Sequence, residues 1–325
     1  MPPGSSVPTA TPIVSIITAA YNAARLLPET VASVLAQSYL HFELIIVDDG
    51  STDDTRAVAQ RLAARDQRIR VLATPNGGQA RARNTAVRTA RGAYIVLLDS
   101  DDLLAPTYLA SQLKLFSRFP DVAIVTPNAV NRGGGPSFDG KPLWPRTSGF
   151  ERLSLRDLIE QENAVSIMSM FRREVWERVG GFNTELLRNE DYDFWLRAAI
   201  AGYAILRSFA PQAFYRRRYD SLSSDEPQMI RGVLHVLHQV DSKLDHRPEE
   251  HAALCRQIAR FTRELPQAEL RASLRRSDAA GAARVLRTLA VDRRSWMLAA
   301  CARFSARWPQ PLLWAYRIRR GIRTA

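Results

Sequence analysis

The stretch YIVLLDSDDLLAP, Tyr94–Pro106, opens as an apolar run and ends in Asp99, Ser100, Asp101 and Asp102. A short apolar run with β-branched and aromatic residues, bounded by polar ones, predicts a buried strand. The segment that follows, TYLASQLKLFSRF, has helical spacing. Three carboxylates therefore stand at the mouth of one strand, where it turns toward a helix.

Working outward, the same alternation recurs. IVSIITAAY, FELIIVDDGS and IRVLAT predict strands, and VAIVTP another. ARLLPETVASVLAQS, TRAVAQRLAARD and GGQARARNTAVRTARG predict helices between them, with Asp53 and Asp54 placed to cap the second. Strands alternating with helices imply an α/β fold, with an open, mostly parallel sheet covered on both faces. In such sheets ligands bind outside the carboxyl ends of the strands. Asp48, Asp49, Asp99, Asp101 and Asp102 all fall there.

The Gly/Pro-rich stretch NRGGGPSFDGKPLWPRTSG leads to a second half. AVSIMSMF, YAILRS and AFYRRRY predict strands there, and REVWERVGGF and EDYDFWLRAAIAG predict helices. Beyond Ser224 only helical patterns remain. The expected organisation is a leader over 1–12, an α/β domain over 13–224 with halves 13–130 and 131–224, and a basic all-helical region over 225–325.

The chain has 325 residues, 46% hydrophobic, and a net charge of +12. From Glu226 to Ala325 there are 19 Lys and Arg against 9 Asp and Glu, so most of the surplus lies in the last third. A nucleic-acid-binding protein is one class this charge suggests. That class leaves the acids at the strand ends unexplained, and no nucleic-acid partner is expected. In the last helices, Trp296, Trp308, Trp314 and Tyr316 stand among arginines. Two readings stand: an interfacial membrane contact, or an apolar face packed on the α/β domain.

No apolar run reaches the roughly 18–20 residues that span a bilayer. The first residues show no signal-peptide pattern. Cys255 and Cys301 lack metal-site spacing and fit inert thiols in a reducing compartment. The expected location is the cytoplasm, with a peripheral position on the inner membrane face as its extension. No G-x-G-x-x-G opens the first helix, which disfavours a dinucleotide enzyme. No Gly-rich phosphate loop follows the first strand, which disfavours a nucleotidyltransferase.

Two carboxylates one residue apart, just past a strand, can share Mg²⁺ or Mn²⁺, which prefer oxygen ligands and commonly complete their shell with substrate phosphates. Capping of the next helix by Asp101 or Asp102 is the competing reading. Glu190-Asp191 opens a helix, where acids also suit the dipole.

Taken in order and with their gaps, VSIITAAYNAARLLPETVASVLAQS, FELIIVDDGSTDDT, GGQARARNTAVRTARGAYIVLLDSDD and NEDYDFWLRAAIAGY closely resemble the family-2 inverting glycosyltransferases of GT-A fold. The resemblance spans Val14 to Ser223. It implies a nucleotide-sugar donor, most commonly a UDP-sugar, a divalent cation, and a saccharide or lipid-linked acceptor of the bacterial cell envelope. Ala19, Tyr21 and Asp49 would line the base pocket, and Arg83 would contact the nucleotide. Asp99, Ser100 and Asp101 would form the donor motif, with Asp99 and Asp101 on the metal. Asp191 would be the general base, supported by Glu190. Gly181, Phe182 and Trp195 would face the acceptor, although a helix cap for the glycine is equally open and a tryptophan at helical spacing is more often core.

The sequence departs from the family in YRRRYDSLS. Many members carry a metal-ligating His where Arg218 stands. Arginine has no lone pair to offer a cation. Either Asp101 and donor phosphates hold the metal alone, or Arg218 contacts the diphosphate. Arg216 has two readings, phosphate contact or exposure. An inactive relative serving as an interaction protein is the remaining alternative.

Overall fold

The computed structural model describes residues 13–218, 221–292 and 300–303. The chain divides into two compact units, Met1–Tyr219 and Asp220–Ala325. In the first, β1 (Val14–Ala20), α1 (Leu27–Leu35), β2 (Phe42–Asp49), α2 (Thr55–Ala63), β3 (Ile69–Thr74), α3 (Gln79–Thr89) and β4 (Tyr94–Leu97) alternate. The order β3-β2-β1-β4 is parallel throughout, with Ala20 opposite Asp48 and Ile17 opposite Leu97. β1 and β2 end level, while β4 stops opposite Ile17, so the residues after Leu97 run beside the end of β1 and both acidic turns come to one rim.

These strands are buried on both faces, which is why they read as continuous apolar runs. Val14, Ile16, Leu44, Ile46 and Val96 pack with Leu27, Val31 and Val34 of α1. Ile17, Ile45 and Leu97, which alternate with them, are equally buried, and α3 packs on β1 and β2.

The second half continues with β5 (Leu103–Leu104), α4 (Tyr108–Arg118), β6 (Val122–Gly133), β7 (Phe150–Leu153), α5 (Leu155–Glu160), β8 (Met170–Arg172), α6 (Arg173–Val179), α7 (Glu190–Ile200) and β9 (Ala204–Arg217). β8 runs antiparallel between β4 and β6, and β9 parallel to β6. β5 and β7 each pair antiparallel with β9. The sheet is parallel in its first half and mixed in its second.

Several expectations change here. The two strands expected around Pro211 are one strand, β9, whose ladder with β6 shifts register beside Pro127 and Asn128. Proline cannot donate to a ladder, so it sits at such an irregularity. The Gly/Pro-rich loop begins inside β6, which runs on to Gly133. AVSIMSMF is buried but enters the sheet only at Met170, because Ser166, Met168 and Ser169 bond locally and to Thr126 and Tyr108 instead. α5 was not anticipated, although Ser154 and Asp157 form a capping box at its start and S-x-x-D is that signature.

The second unit contains α8 (Glu226–Asp241), α9 (Pro248–Arg275) and α10 (Ala279–Asp292). α9 packs against both α8 and α10, burying Val233, Val236, Leu237, Leu254, Phe261 and Leu286. Part of its surplus charge is paired locally: Glu226 accepts from Arg271 and Arg275, and Asp225 from Arg276. Cys255 and Cys301 are free and exposed, so they are not core thiols. Among the described residues no helix is long and apolar enough to cross a membrane. Trp296, Trp308, Trp314 and Tyr316, which carry the membrane-contact reading, lie outside the described residues.

Candidate active site

The acidic turn after β4 is held from three directions. Leu98 N–H donates to the Ile17 carbonyl at 3.0 Å, tying the turn to β1. The Thr30 hydroxyl of α1 donates to the Ser100 carbonyl at 3.0 Å. From β9, the Arg216 N–H donates to Asp102 Oδ1 and its Nε to the Asp101 carbonyl, both at 2.8 Å. Arg216 Nη2 also reaches Glu29 Oε2 of α1 at 2.8 Å. Arg216 is therefore neither idle nor a free phosphate ligand; it clamps the turn between α1 and β9. Nothing in YRRRY distinguishes which of its arginines faces inward, because strand alternation needs the register to be known.

Arg83 joins this turn to α7. Its Nη2 donates to Asp99 Oδ1 at 2.6 Å, and its Nη1 pairs with Glu190 Oε1. The arginine is only 2% exposed, so its guanidinium is held inside the protein between these two carboxylates. Burial works against its charge, but Asp99, Glu190 and Asp191 outweigh burial and raise its pKa. Asp191, next to Glu190, thereby lies within the field of Asp99, although the two are far apart in sequence. A signal for this was present: Ala80, Arg83, Asn84 and Val87 are one helical stripe, and all four are buried, while Arg81 and Arg88 on the other side are exposed.

Excess negative charge marks the whole rim. Burial, with Asp99, raises the Asp101 carboxyl against the pull of Arg218 and Arg216. Burial, with Asp99 and Asp101, raises the Asp102 carboxyl well above its ordinary value. Glu190 is pushed up to about 7 by burial and by Asp191 and Asp99, against the pull of Arg83. Asp191 is raised by burial, with Arg83 opposing; its Oδ1 accepts from its neighbour Tyr192 N–H at 2.9 Å. Carboxylates held together short of countercharge favour protons or a cation.

The residues suit a divalent cation of the Mg²⁺ or Mn²⁺ type. Among the described residues there is no cluster of three or more His, Cys, Asp or Glu arranged around a metal position. Asp99 and Asp101 stand one residue apart, and the buried Asp102 Oδ2 in the same turn has no hydrogen-bond partner. A hard cation that takes one or two carboxylates and completes its shell with phosphates and water needs no larger cluster. Arg218 Nη1 lies 3.3 Å from Asp101 Oδ2, so the position that departs from the family does face the acidic turn.

At the carboxyl end of β1, Ala19 within the strand is half-buried and Tyr21 just past it is half exposed. Asp49 is buried, and its oxygens accept from Gly77 N–H at 3.0 Å and Gly78 N–H at 2.8 Å. Its carboxylate closes the turn into α3, and a nucleobase would share those oxygens. Asp48 accepts from Ser51 N–H at 3.3 Å, a turn role.

The residues expected at the acceptor are placed differently. Trp195 is 1% exposed and packs edge-to-face on Phe171 and Phe194. Phe182 is 2% exposed against Phe194. Both are core residues, because α7 turns its aromatic face inward. Gly181 has φ +78°, and a Cβ there would stand 2.7 Å from Asn84 Oδ1. That glycine is required by Asn84, which receives Phe182 N–H and Trp176 Nε1–H on Oδ1 and donates to the Phe182 carbonyl. Asn84 went unnoticed in the sequence and ties α3 to the loop before α7. Gly181→Ala is expected to lose about 1–3 kcal/mol, as overpacking does. Urea unfolding measures it, and a variant as stable as wild type would contradict this packing role.

Residues 15–180 match the family described as "Glycosyl transferase family 2". The chain is 36% identical to the chondroitin synthase of Pasteurella multocida strain Pm70 over 193 residues, 59% of this chain and 19% of that protein. It is 32% identical to the putative teichuronic acid biosynthesis glycosyltransferase TuaG of Bacillus subtilis strain 168 over 232 residues, 71% of this chain and 89% of that protein. Its matched part thus spans about a fifth of the synthase but most of TuaG. Among solved structures, S. aureus TarS 1–349 in complex with UDP-GlcNAc superposes with a TM-score of 0.64 at 20% identity, covering 84% of this chain and 79% of that one. The mannosyltransferase PcManGT from Pyrobaculum calidifontis, in complex with GDP-Man and Mn²⁺, gives 0.59 at 24%, covering 92% and 85%. The chain belongs to glycosyltransferase family 2, and its first unit has the GT-A-type α/β fold.

Proposed function

We propose that the chain transfers a sugar from a nucleotide-diphosphate donor to an acceptor hydroxyl, inverting the anomeric carbon in one displacement. The observation that carries this reading is Arg83, buried between Asp99 of the strand-end turn and Glu190, next to Asp191. It gathers a donor-side acid pair and a candidate base around one rim. Asp191 takes the proton from the acceptor hydroxyl as its oxygen bonds to the anomeric carbon. The bond from that carbon to the diphosphate oxygen breaks on the opposite face, and the nucleoside diphosphate leaves. No covalent intermediate is needed.

Ala19, Tyr21 and Asp49 border the base side, and Asp99, Ser100 and Asp101 the ribose and diphosphate side. Asp99 and Asp101 would hold the divalent cation, which when bound supplies positive charge for the leaving diphosphate. Clamping by Thr30 and Arg216 keeps this turn in place before donor arrives, and such preorganisation is where electrostatic catalysis gains most. TarS and PcManGT, with their UDP-GlcNAc and GDP-Man, support a nucleotide sugar without deciding the base; a UDP-sugar is the first choice. The synthase and TuaG support a polysaccharide or lipid-linked saccharide of the cell envelope as acceptor.

A panel of UDP-, GDP- and dTDP-sugars with Mn²⁺ or Mg²⁺, scored for binding and slow hydrolysis, tests the reading. Binding of none of them would end it. Within that panel, Asp101→Ala should weaken metal-dependent donor binding about 10–100-fold, the loss of one charge-assisted ligand in a half-buried site. Calorimetric titration with and without metal reads the effect, and unchanged affinity would remove Asp101 from the donor site.

A further inference from the structure

Arg83 and Arg207 are the two buried arginines among the described residues. Arg83 connects three segments distant in sequence: α3, the turn after β4, and the first residue of α7. The side chains of Arg83 and Glu190 are 3% and 4% exposed, and that of Asp99 is 25% exposed. Buried ion pairs seldom stabilise a fold better than apolar packing of the same volume. Geometry is the better reason for this one. A guanidinium is a rigid planar fork, and here each terminal nitrogen is committed to a different carboxylate.

The start of α7 needs such a tether. Its N-cap residue, Asn189, has left-handed backbone with φ 60° and makes no side-chain capping bond. The usual anchor of a helix start is missing one residue before Glu190 and two before Asp191. We propose that Glu190 is a positioning residue: held by Arg83, it sets the first turn of α7, and with it Asp191, at a fixed distance from the donor turn carrying Asp99. Arg83 is the link between base and donor site rather than a ligand of the nucleotide. This inference rests on the reading of Asp191 as base and Asp99 as donor-side acid.

Three variants of the full chain test it: Glu190→Gln, which keeps shape and an acceptor oxygen but no charge; Arg83→Lys, which keeps the charge but not the fork; and the double variant. The readouts are melting temperature, affinity for UDP and, in parallel, GDP with Mn²⁺, and kcat with the nucleotide sugar that wild type turns over. Displacing a catalytic group by about 1 Å can lower rate 100-fold. Both single variants should therefore lose about 10–100-fold in kcat, with nucleotide affinity within about threefold, the melting temperature serving to show that each is folded at the assay temperature. The double variant should be no worse than the poorer single, as for residues acting as a unit. A kcat within twofold of wild type in both singles would overturn the proposal. So would a tenfold loss of nucleotide affinity in Arg83→Lys with kcat kept, which would make Arg83 a donor ligand, or losses that multiply in the double variant. Wild-type protein that binds neither UDP nor GDP fails earlier, at the glycosyltransferase reading itself.

Discussion

Asp191→Asn should bind donor as wild type does and transfer about 10²–10⁴-fold more slowly, the usual contribution of a positioned general base. Asparagine has the same shape, and its side-chain oxygen can still accept the Tyr192 N–H that Asp191 Oδ1 accepts now. The start of α7 is preserved, and only the ability to take a proton disappears. The assay pairs donor affinity with turnover, and wild-type turnover would remove Asp191 as base. The pH profile adds a second arm. Burial raises the Asp191 carboxyl above its ordinary value of 3.8. A base must be ionised to act, so activity should rise with pH along a limb displaced upward from that value. A limb at the ordinary carboxylate position would speak against the buried setting.

Arg83→Ala should destabilise the protein by about 3–5 kcal/mol, the range for removing one partner from a buried ion pair. The lower end is the better expectation, because Asp99 is partly solvated and Glu190 can take a proton. Glu190 already stands at about 7, above the ordinary 4.5. A folded carboxyl that holds its proton more tightly than the unfolded one contributes stability at low pH, and that contribution is lost as pH rises through the folded pKa. Without Arg83 the carboxyl rises further. The deficit against wild type should therefore be larger at pH 8 than near pH 5.5. Urea unfolding at both pH values checks this; a loss below about 1 kcal/mol at each would show that the buried network holds little together.

The difference between these two variants reflects how legible each residue was. The base role proposed for Asp191 comes from the resemblance of NEDYDFWLR to the family motif; its place at a helix start would by itself suit only the dipole. Arg83 could be assigned to the same region but not to its partners. Its chain neighbours say that it lies on a helix; only the packing of α3 under the strand ends turns it toward Asp99 and Glu190. For Trp195 the acceptor and core readings both stood, and packing decides: that face of α7 meets Phe171 and Phe194 and is core. Arg216 and Arg218 were distinguishable from Arg217 only once β9 had a register.

The alternation of strands and helices, the acids at the strand mouths and the basic helical end are properties of nearest neighbours along the chain. Local pattern suffices for them, because burial on both faces of a parallel sheet demands unbroken apolar runs. The joining of β6 to β9, the inward turn of Arg83 and the clamp of Arg216 on the acidic turn depend on partners far along the chain, 107 residues for Arg83 and Glu190 and 187 for Arg216 and Glu29. No local period encodes such a partner. It is selected when side chains compete for the few buried positions where a charge can find its counterpart, and that competition is resolved only in the folded molecule.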